Sequence, residues 1–448
     1  MKGKVIREGR RRRGSLTTRD SFNNLRRKRF VDHFKVRGVD VGDQVHIRLN
    51  SRTFDTYVQV LNRNTGELLF DNDDQASGIT NSRLTFTAQD DVKYGIKVTS
   101  YAEKETGTYS LRIRTARPQT PEFAYGSGLL DASRAVASAS STDAFQSGEI
   151  LERSEDWNLN LVNAPDAWAN GFRGEGVVVA VIDSGVSTGH QDISSNLWRN
   201  SDEIQGNGID DDGNGFVDDY QGWDFIEEDN KPDDLNGHGT FISGIIAGAH
   251  DGVGVSGIAP EATIMPVRVL DKNGSGQQRD IAKGIRYAVN NGADVINLSL
   301  GGPPGTEIER SLKKALRFAY QQGVFVAIAA GNDRQSVGSK RSGEPAFWAA
   351  SRNYAMSVGS VDELSNVSSF SNPRGDVPSS YVVAPGSQVY SILPWYAQRT
   401  FEWSGTSFAT PHVAGVAALM LSADPTLSPA ELMTMISDSA NPDHLSVA

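Results

Sequence analysis

Val177-Val178-Val179-Ala180-Val181-Ile182-Asp183-Ser184-Gly185 opens the part of the chain that decides the fold. An unbroken apolar, β-branched run has no polar face to turn to water, so it predicts a strand buried on both sides, as in a parallel sheet. Further runs at 264–270, 294–299 and 324–330 predict strands of the same kind. Between them, residues 280–290 and 307–322 follow helical periodicity, with Leu312, Leu316 and Ala319 on one face. Strand and helix in alternation imply an α/β fold, a parallel sheet flanked by helices on both sides. Functional residues in such folds sit where strands end and helices begin, and Asp183 is at such an end.

Two other stretches belong with it. Asn236-Gly237-His238-Gly239-Thr240 puts an imidazole between two glycines, ahead of an apolar helix (Phe241, Ile242, Ile245, Ile246). Gly405-Thr406-Ser407-Phe408-Ala409-Thr410-Pro411-His412 puts a hydroxyl ahead of a helix rich in small residues. A free serine hydroxyl is too weakly acidic to attack a carbonyl at neutral pH, and a base oriented by a carboxylate corrects this. The helix N-terminus adds a field that favours developing negative charge at Ser407. Pro411 falls in the first turn, where its missing N–H is tolerated. Of the other histidines, His33, His46, His190, His250, His412 and His444 have no such setting and read as structural or surface residues.

These three stretches, in the order Asp, His, Ser, resemble the subtilisin-like serine proteases, or subtilases. The resemblance runs from about Trp157 to the C-terminus. It implies a subtilisin-like fold and serine endopeptidase activity, with Asp183, His238 and Ser407 as the catalytic triad. Asn332, in Ala329-Ala330-Gly331-Asn332-Asp333, matches the family's side-chain oxyanion donor, and the Ser407 amide would be the second donor. Ser299-Leu300-Gly301 resembles the strand that pairs with an extended substrate and forms one pocket wall. Ala329, Ala330 and Gly331 would form the opposite wall, with Gly343-Glu344-Pro345-Ala346 at the base. Gly343 implies a roomy pocket, and Glu344 would favour basic side chains there.

Asp210-Asp211-Asp212-Gly213-Asn214-Gly215-Phe216-Val217-Asp218-Asp219 carries oxygen ligands at positions one, three and five and glycine at six, the spacing of a calcium loop. Phe216 falls at position seven, which ligates through its carbonyl, and Asp218 or Asp219 would replace the acidic residue that Gln221 displaces at twelve. Asp192 and Asp251 match a second calcium site of the family, which usually has Asn where Asp251 stands. One or two Ca2+ ions are expected.

The 448 residues contain no cysteine, which excludes disulfides and thiolate metal sites. No apolar run is long enough to span a membrane. Residues 1–29 hold twelve Lys/Arg against Glu8 and Asp20, a charge of +10, so the remainder carries −21 of the net −11. Residues 1–23 read as a disordered basic arm. No apolar stretch follows the arginines, so no secretory signal is visible, and the compartment stays open although the family suggests a secreted or periplasmic enzyme. Residues 24–117 alternate at period two (Val45, Ile47, Leu49; Tyr94, Ile96, Val98) between turn signals, predicting a small all-β sandwich. From Phe30-Val31-Asp32-His33-Phe34 to Gly107-Thr108-Tyr109-Ser110-Leu111 it resembles the bacterial pre-peptidase C-terminal domain. Asp71, with the Asp73-Asp74 turn, reads either as a polar turn or as a calcium site.

Residues 118–156 have linker composition, and 157–448 would be the catalytic domain. Within the linker, Gly126-Ser127-Gly128-Leu129-Leu130-Asp131-Ala132 resembles the element that normally closes a subtilase domain at its C-terminus. Either residues 123–140 complete the catalytic domain from its N-terminal side, or they are a plain linker helix. Protein or peptide substrates, a monomer and no nucleic-acid partner are expected. A scaffold protein with a silent peptidase fold and a simple esterase are the alternatives.

Overall fold

The computed structural model describes residues 4–7, 11–16, 21–22, 30–37, 44–51, 53–72, 82–88, 92–100, 102, 105–116, 125–142, 145–442 and 445. The Asp73-Asp74 turn, the last four basic residues of the N-terminal segment (Arg26, Arg27, Lys28 and Arg29) and the 118–124 part of the expected linker lie outside these. The chain divides into two compact units, Met1–Gln119 and Thr120–Ala448. No helix among the described residues is long and apolar enough to cross a membrane.

The first unit is built of two sheets. One runs Lys4–Arg7, Phe30–Arg37, Tyr94–Ser100, Thr56–Asn62, Leu68–Asn72, with Ser21–Phe22 beside Phe30–Arg37. The other runs Arg11–Leu16, Gly107–Ala116, Gln44–Ser51, Ser82–Thr87. Alternate residues point into one shared core: Val45, Ile47 and Leu49 from one sheet, Ile96 and Val98 from the other. The basic arm departs from the expectation. Lys4–Arg7 pairs parallel with Phe30–Arg37, and Arg11–Leu16 pairs antiparallel with Gly107–Ala116. Open strand edges offer backbone hydrogen bonds to any sequence, and Leu16 is buried in the core. Backbone pairing, with Leu16 as an apolar anchor, overrides the charge pattern.

The second unit holds a seven-stranded parallel sheet in the order Trp223–Asp224, Thr263–Arg268, Val178–Asp183, Val295–Leu298, Phe325–Ala329, Met356–Val361, Tyr381–Pro385. Period-two alternation is visible along Val178–Asp183. Val179 and Val181 enter a core with the helices His238–Ala247 and Thr406–Ala423, while Ala180 and Ile182 enter a core with Gln278–Asn290 and Arg310–Gln321. Its neighbours are Thr263–Arg268 on one side and Val295–Leu298 on the other. The strand order therefore reverses there, which opens a crevice at the carboxyl end of the strand that carries Asp183.

This unit includes residues from the stretch with linker composition. Leu129 forms a parallel bridge to Val383 and an antiparallel bridge to Asn441. Its neighbours tie in through Ser127 N–H to Tyr381 O (3.1 Å), Leu130 N–H to Val383 O (2.9 Å) and Val383 N–H to Gly128 O (3.0 Å). Gly126 takes φ +69°, and a Cβ there would lie 2.1 Å from Tyr381 O, so only glycine fits. The following helix, Ala132–Ala139, is capped by Asp131, whose carboxylate accepts the Arg134 N–H at 2.9 Å. It buries Ala132, Ala135, Val136 and Ala139 in the core that holds Thr406–Ala423 and Pro429–Ser439.

Candidate active site

Asp183 is fully buried, and its Oδ1 lies 2.8 Å from His238 Nδ1. The same oxygen accepts the Ser184 N–H at 2.8 Å, while Oδ2 is buried with no partner. Nδ1 of His238 is therefore its protonated nitrogen, leaving Nε2 as the basic one. Burial on its own would lower the His238 pKa. The Asp183 carboxylate, by charge and hydrogen bond, and the Asp234 charge outweigh it and hold the imidazole above its ordinary value.

Asp234 belongs to none of the sequence motifs, yet it builds the turn ahead of His238. Its Oδ1 accepts the Ser184 hydroxyl (2.8 Å) and the Asn236 and Gly237 N–H groups (2.9 and 2.7 Å). Its Oδ2 accepts the Thr240 N–H and hydroxyl (2.9 and 2.7 Å). Loop and helix-terminus donors thus converge on one buried carboxylate, and Gly237 takes φ +101° to turn His238 into the first helical position. The only hint in the sequence is an Asp four residues before the histidine.

Ser407 is the second residue of the helix Thr406–Ala423, and Pro411 stands inside that helix at its sixth position rather than in the first turn. Phe408 packs its ring on the His238 imidazole at 5.4 Å between centroids, which brings the start of this helix to the histidine. The Ser407 carbonyl accepts the Ser299 hydroxyl at 2.7 Å, and no hydrogen bond among the described residues engages its own hydroxyl. Asn332 is fixed by its carbonyl oxygen, which accepts the Thr406 N–H (2.9 Å) and hydroxyl (3.1 Å). Its Nδ2 is left without a partner among the described residues, and it faces the Gly405 position at 3.6 Å from where a Cβ would stand. His412, in the same helix as Ser407, is different in kind. It is fully buried between Phe408 O and Asn158 Nδ2, and burial pushes its pKa down to about 4.

No backbone hydrogen bond among the described residues engages Leu300 or Gly301, so this edge is open. Gly302, next along, pairs with Glu344 in both directions (2.8 and 2.9 Å), and Gly343 N–H donates to Ala330 O (2.7 Å). Gly343 thereby joins the 299–302 segment to the 329–331 segment. A Cβ on it would stand 2.4 Å from Gly302 O, so the glycine is required by backbone packing and says nothing of pocket width. Gly331, at φ +95°, donates its N–H to Thr406 Oγ1 at 3.1 Å. Glu344 departs from the expectation of a basic-residue selector. Its carboxylate meets Arg341 Nη1 (2.9 Å) and caps the helix Ala346–Ala350 through the Trp348 N–H (3.1 Å), so its charge is already answered. Beside the open edge lies a cavity of about 350 Å³ with both apolar and polar lining, including Leu270, Ile281, Leu300, Leu312, Gln278 and Glu344.

In the acidic loop, Asp210 accepts the Asn214 and Gly215 N–H groups (3.0 and 2.8 Å) and so shapes the loop itself. Phe216 puts its ring among Trp223, Phe225 and Tyr287. Asp218 departs from the expectation of a loop ligand. Its carboxylate turns to a neighbouring turn, through the Gly206, Asn207 and Gly208 N–H groups at 2.8 to 3.0 Å, and it is not among the carboxylates that come together at the loop. Asp212, Asn214 and Asp219 come together with Glu203, which no sequence motif includes. At the other candidate, Asp192 is buried, accepts the Val255 N–H at 3.0 Å and is raised in pKa, mainly by burial and partly by the Asp251 charge.

The match of the chain to known proteins agrees with this arrangement. A model of the Subtilase family matches residues 174–447. Subtilisin DY of Bacillus licheniformis is 35% identical over 284 residues, 63% of this chain and 90% of that protein. Thermitase of Thermoactinomyces vulgaris is 38% identical over 270 residues, 60% of this chain and 83% of that protein. The major intracellular serine protease of Bacillus subtilis is 37% identical over 265 residues, 59% and 74% respectively. A parallel α/β unit with Asp183 and His238 joined at its crevice, matched over most of its length by these proteases, belongs to the Subtilase family and is a serine endopeptidase.

Proposed function

We propose that the protein cleaves peptide bonds through Asp183, His238 and Ser407, with Asn332 as an oxyanion donor, and that calcium stabilises the catalytic unit. The observation that carries this reading is the 2.8 Å bond from Asp183 Oδ1 to His238 Nδ1, with the Ser407 helix packed on the same imidazole. His238 Nε2 takes the Ser407 proton as the hydroxyl attacks the scissile carbonyl, and Asp183 stabilises the imidazolium that results. The tetrahedral oxyanion receives hydrogen bonds from Asn332 Nδ2 and the Ser407 N–H, one of the first-turn donors with no partner inside the helix. His238 then returns the proton to the leaving amine, and water repeats the sequence on the acyl-enzyme.

The open edge at Ser299, Leu300 and Gly301 would pair with an extended substrate backbone, with Ala329, Ala330 and Gly331 facing it and Gly343 and Glu344 closing the base. The cavity beside Leu300 would take a substrate side chain, with apolar walls at Leu270, Ile281 and Leu312 and polar groups at Gln278 and Thr306. Calcium's candidate ligands are oxygens: Asp210, Asp212, Asn214, Asp219 and the Phe216 carbonyl in the loop, and Asp192 with Asp251 at the second position. Hard cations take such donors.

Two measurements test the reading. Asn332→Ala is expected to lower kcat on a peptide substrate by about 10²–10³, the loss known for the side-chain oxyanion donor of subtilisin itself. An unchanged kcat would remove Asn332 from the site. The second is the pH profile. Only neutral His238 accepts the Ser407 proton, so activity is present above the folded His238 pKa and is lost as pH falls through it. Because Asp183 holds that pKa above 6.5, the acid limb of kcat/KM should lie above pH 6.5. In Asp183→Asn it should move to lower pH. A limb that stays in place would show that another group controls it.

A further inference from the structure

Three carboxylates, two in the acidic loop and one outside it, meet without a cation of the protein to answer them. Glu203 and Asp219 are 5% and 0% exposed, and Asp212 lies exposed at their rim. One oxygen from each is within 4.8 Å of the other two. Glu203 Oε1 accepts the Asp211 and Asp212 N–H groups at 2.7 and 3.3 Å, whereas Oε2 is buried with no hydrogen-bond partner. The other donors are neutral. Asn200 Nδ2 reaches Asp212 (3.0 Å) and Asp219 (2.9 Å), Asn214 Nδ2 reaches both at 3.0 and 3.2 Å, and Tyr287 O–H reaches Asp219 at 2.7 Å. No ion pair among the described residues includes any of the three acids.

Neutral donors orient carboxylates but do not cancel charge, and buried like charges at this spacing oppose ionisation unless a cation joins them. The donor set is oxygen only, with a formal charge of −3, which suits a hard cation of calcium size over zinc or copper. We infer that Glu203, Asp212 and Asp219 form one calcium-binding site, in which Glu203, from outside the loop, supplies the carboxylate that Asp218 does not. This rests on the calcium part of the proposed function and changes its ligand set. Tyr287 extends the site to the helix Gln278–Asn290, whose Gln278 and Ile281 line the cavity beside Leu300. The ion therefore braces the substrate-side helix as well as the loop.

The test is a terbium(III) titration of the full-length Ser407→Ala protein, with calcium competition. Trp198 lines the cavity at Asn200, Asp212 and Asn214 and would sensitise the lanthanide. The expected result is saturable luminescence, displaced by calcium, with affinity at least tenfold weaker in both Glu203→Gln and Asp212→Asn. Unchanged affinity in both variants overturns the site, including the case in which the signal disappears only in Asp192→Asn. Circular dichroism checks that Glu203→Gln is folded. Asp212 is exposed, so Asp212→Asn decides the matter if Glu203→Gln is not. Since Ser407→Ala is inactive by design, the titration stands or falls independently of the protease reading, which hydrolysis by the unmodified protein tests.

Discussion

Ser407→Ala is expected to lower kcat by about 10⁶, the scale known for loss of the nucleophile in subtilisin, while the protein stays folded. Both halves follow from the same geometry. The Ser407 hydroxyl makes no hydrogen bond among the described residues, and the bond that anchors this position runs from the Ser299 hydroxyl to the Ser407 carbonyl, which alanine keeps. The stability change should therefore stay within about 0.5 kcal/mol. Residual hydrolysis near the unmodified rate would place the nucleophile elsewhere. A large loss of stability would make Ser407 a packing residue first.

The second large effect concerns residues 125–142. Removing them is expected to prevent the catalytic unit from folding cooperatively. Their backbone supplies the bridges from Leu129 to Val383 and Asn441 at the edge of the parallel sheet. Their side chains Leu130, Ala135 and Val136 are fully or almost fully buried in the core with the Ser407 helix. Within the intact chain, Leu130→Ala alone should cost about 2–5 kcal/mol, the usual range for a large-to-small change in a packed core. Thermal unfolding in the Ser407→Ala background, which prevents self-digestion, measures both. A truncated protein that melts at the same temperature would make this segment a plain linker.

Much of the catalytic fold was legible because the signal was local. The run ending at Asp183 has no polar face, and strand burial on both sides followed from that alone. The helices Gln278–Asn290 and Arg310–Gln321 begin and end within three residues of their periodic patterns. The segment at 125–142 was harder for a physical reason. Ala and Ser runs look like linker, but a helix of small residues is what packs closely against another, here the Ala- and Gly-rich Thr406–Ala423. Glu344 misled in a similar way. A carboxylate near a pocket suggests selectivity, and composition cannot reveal that Arg341 and a helix terminus already hold it. Glu203 belongs to no motif. It stands seven residues before Asp210 and becomes part of the acidic cluster only through the turn at 206–208, which Asp218 caps. The hairpin Val389–Leu393 with Tyr396–Trp403 also gave no clear pattern, since its partly exposed strands mix aromatic and charged residues.

Activation of Ser407 by His238 and Asp183 is tested most directly by treatment with a fluorophosphonate, followed by intact-mass measurement and peptide mapping. One adduct is predicted, on Ser407, that is lost in Ser407→Ala and strongly slowed in His238→Ala. No adduct on the folded protein, an adduct on another serine, or labelling of Ser407 at the same rate without His238 would contradict that activation.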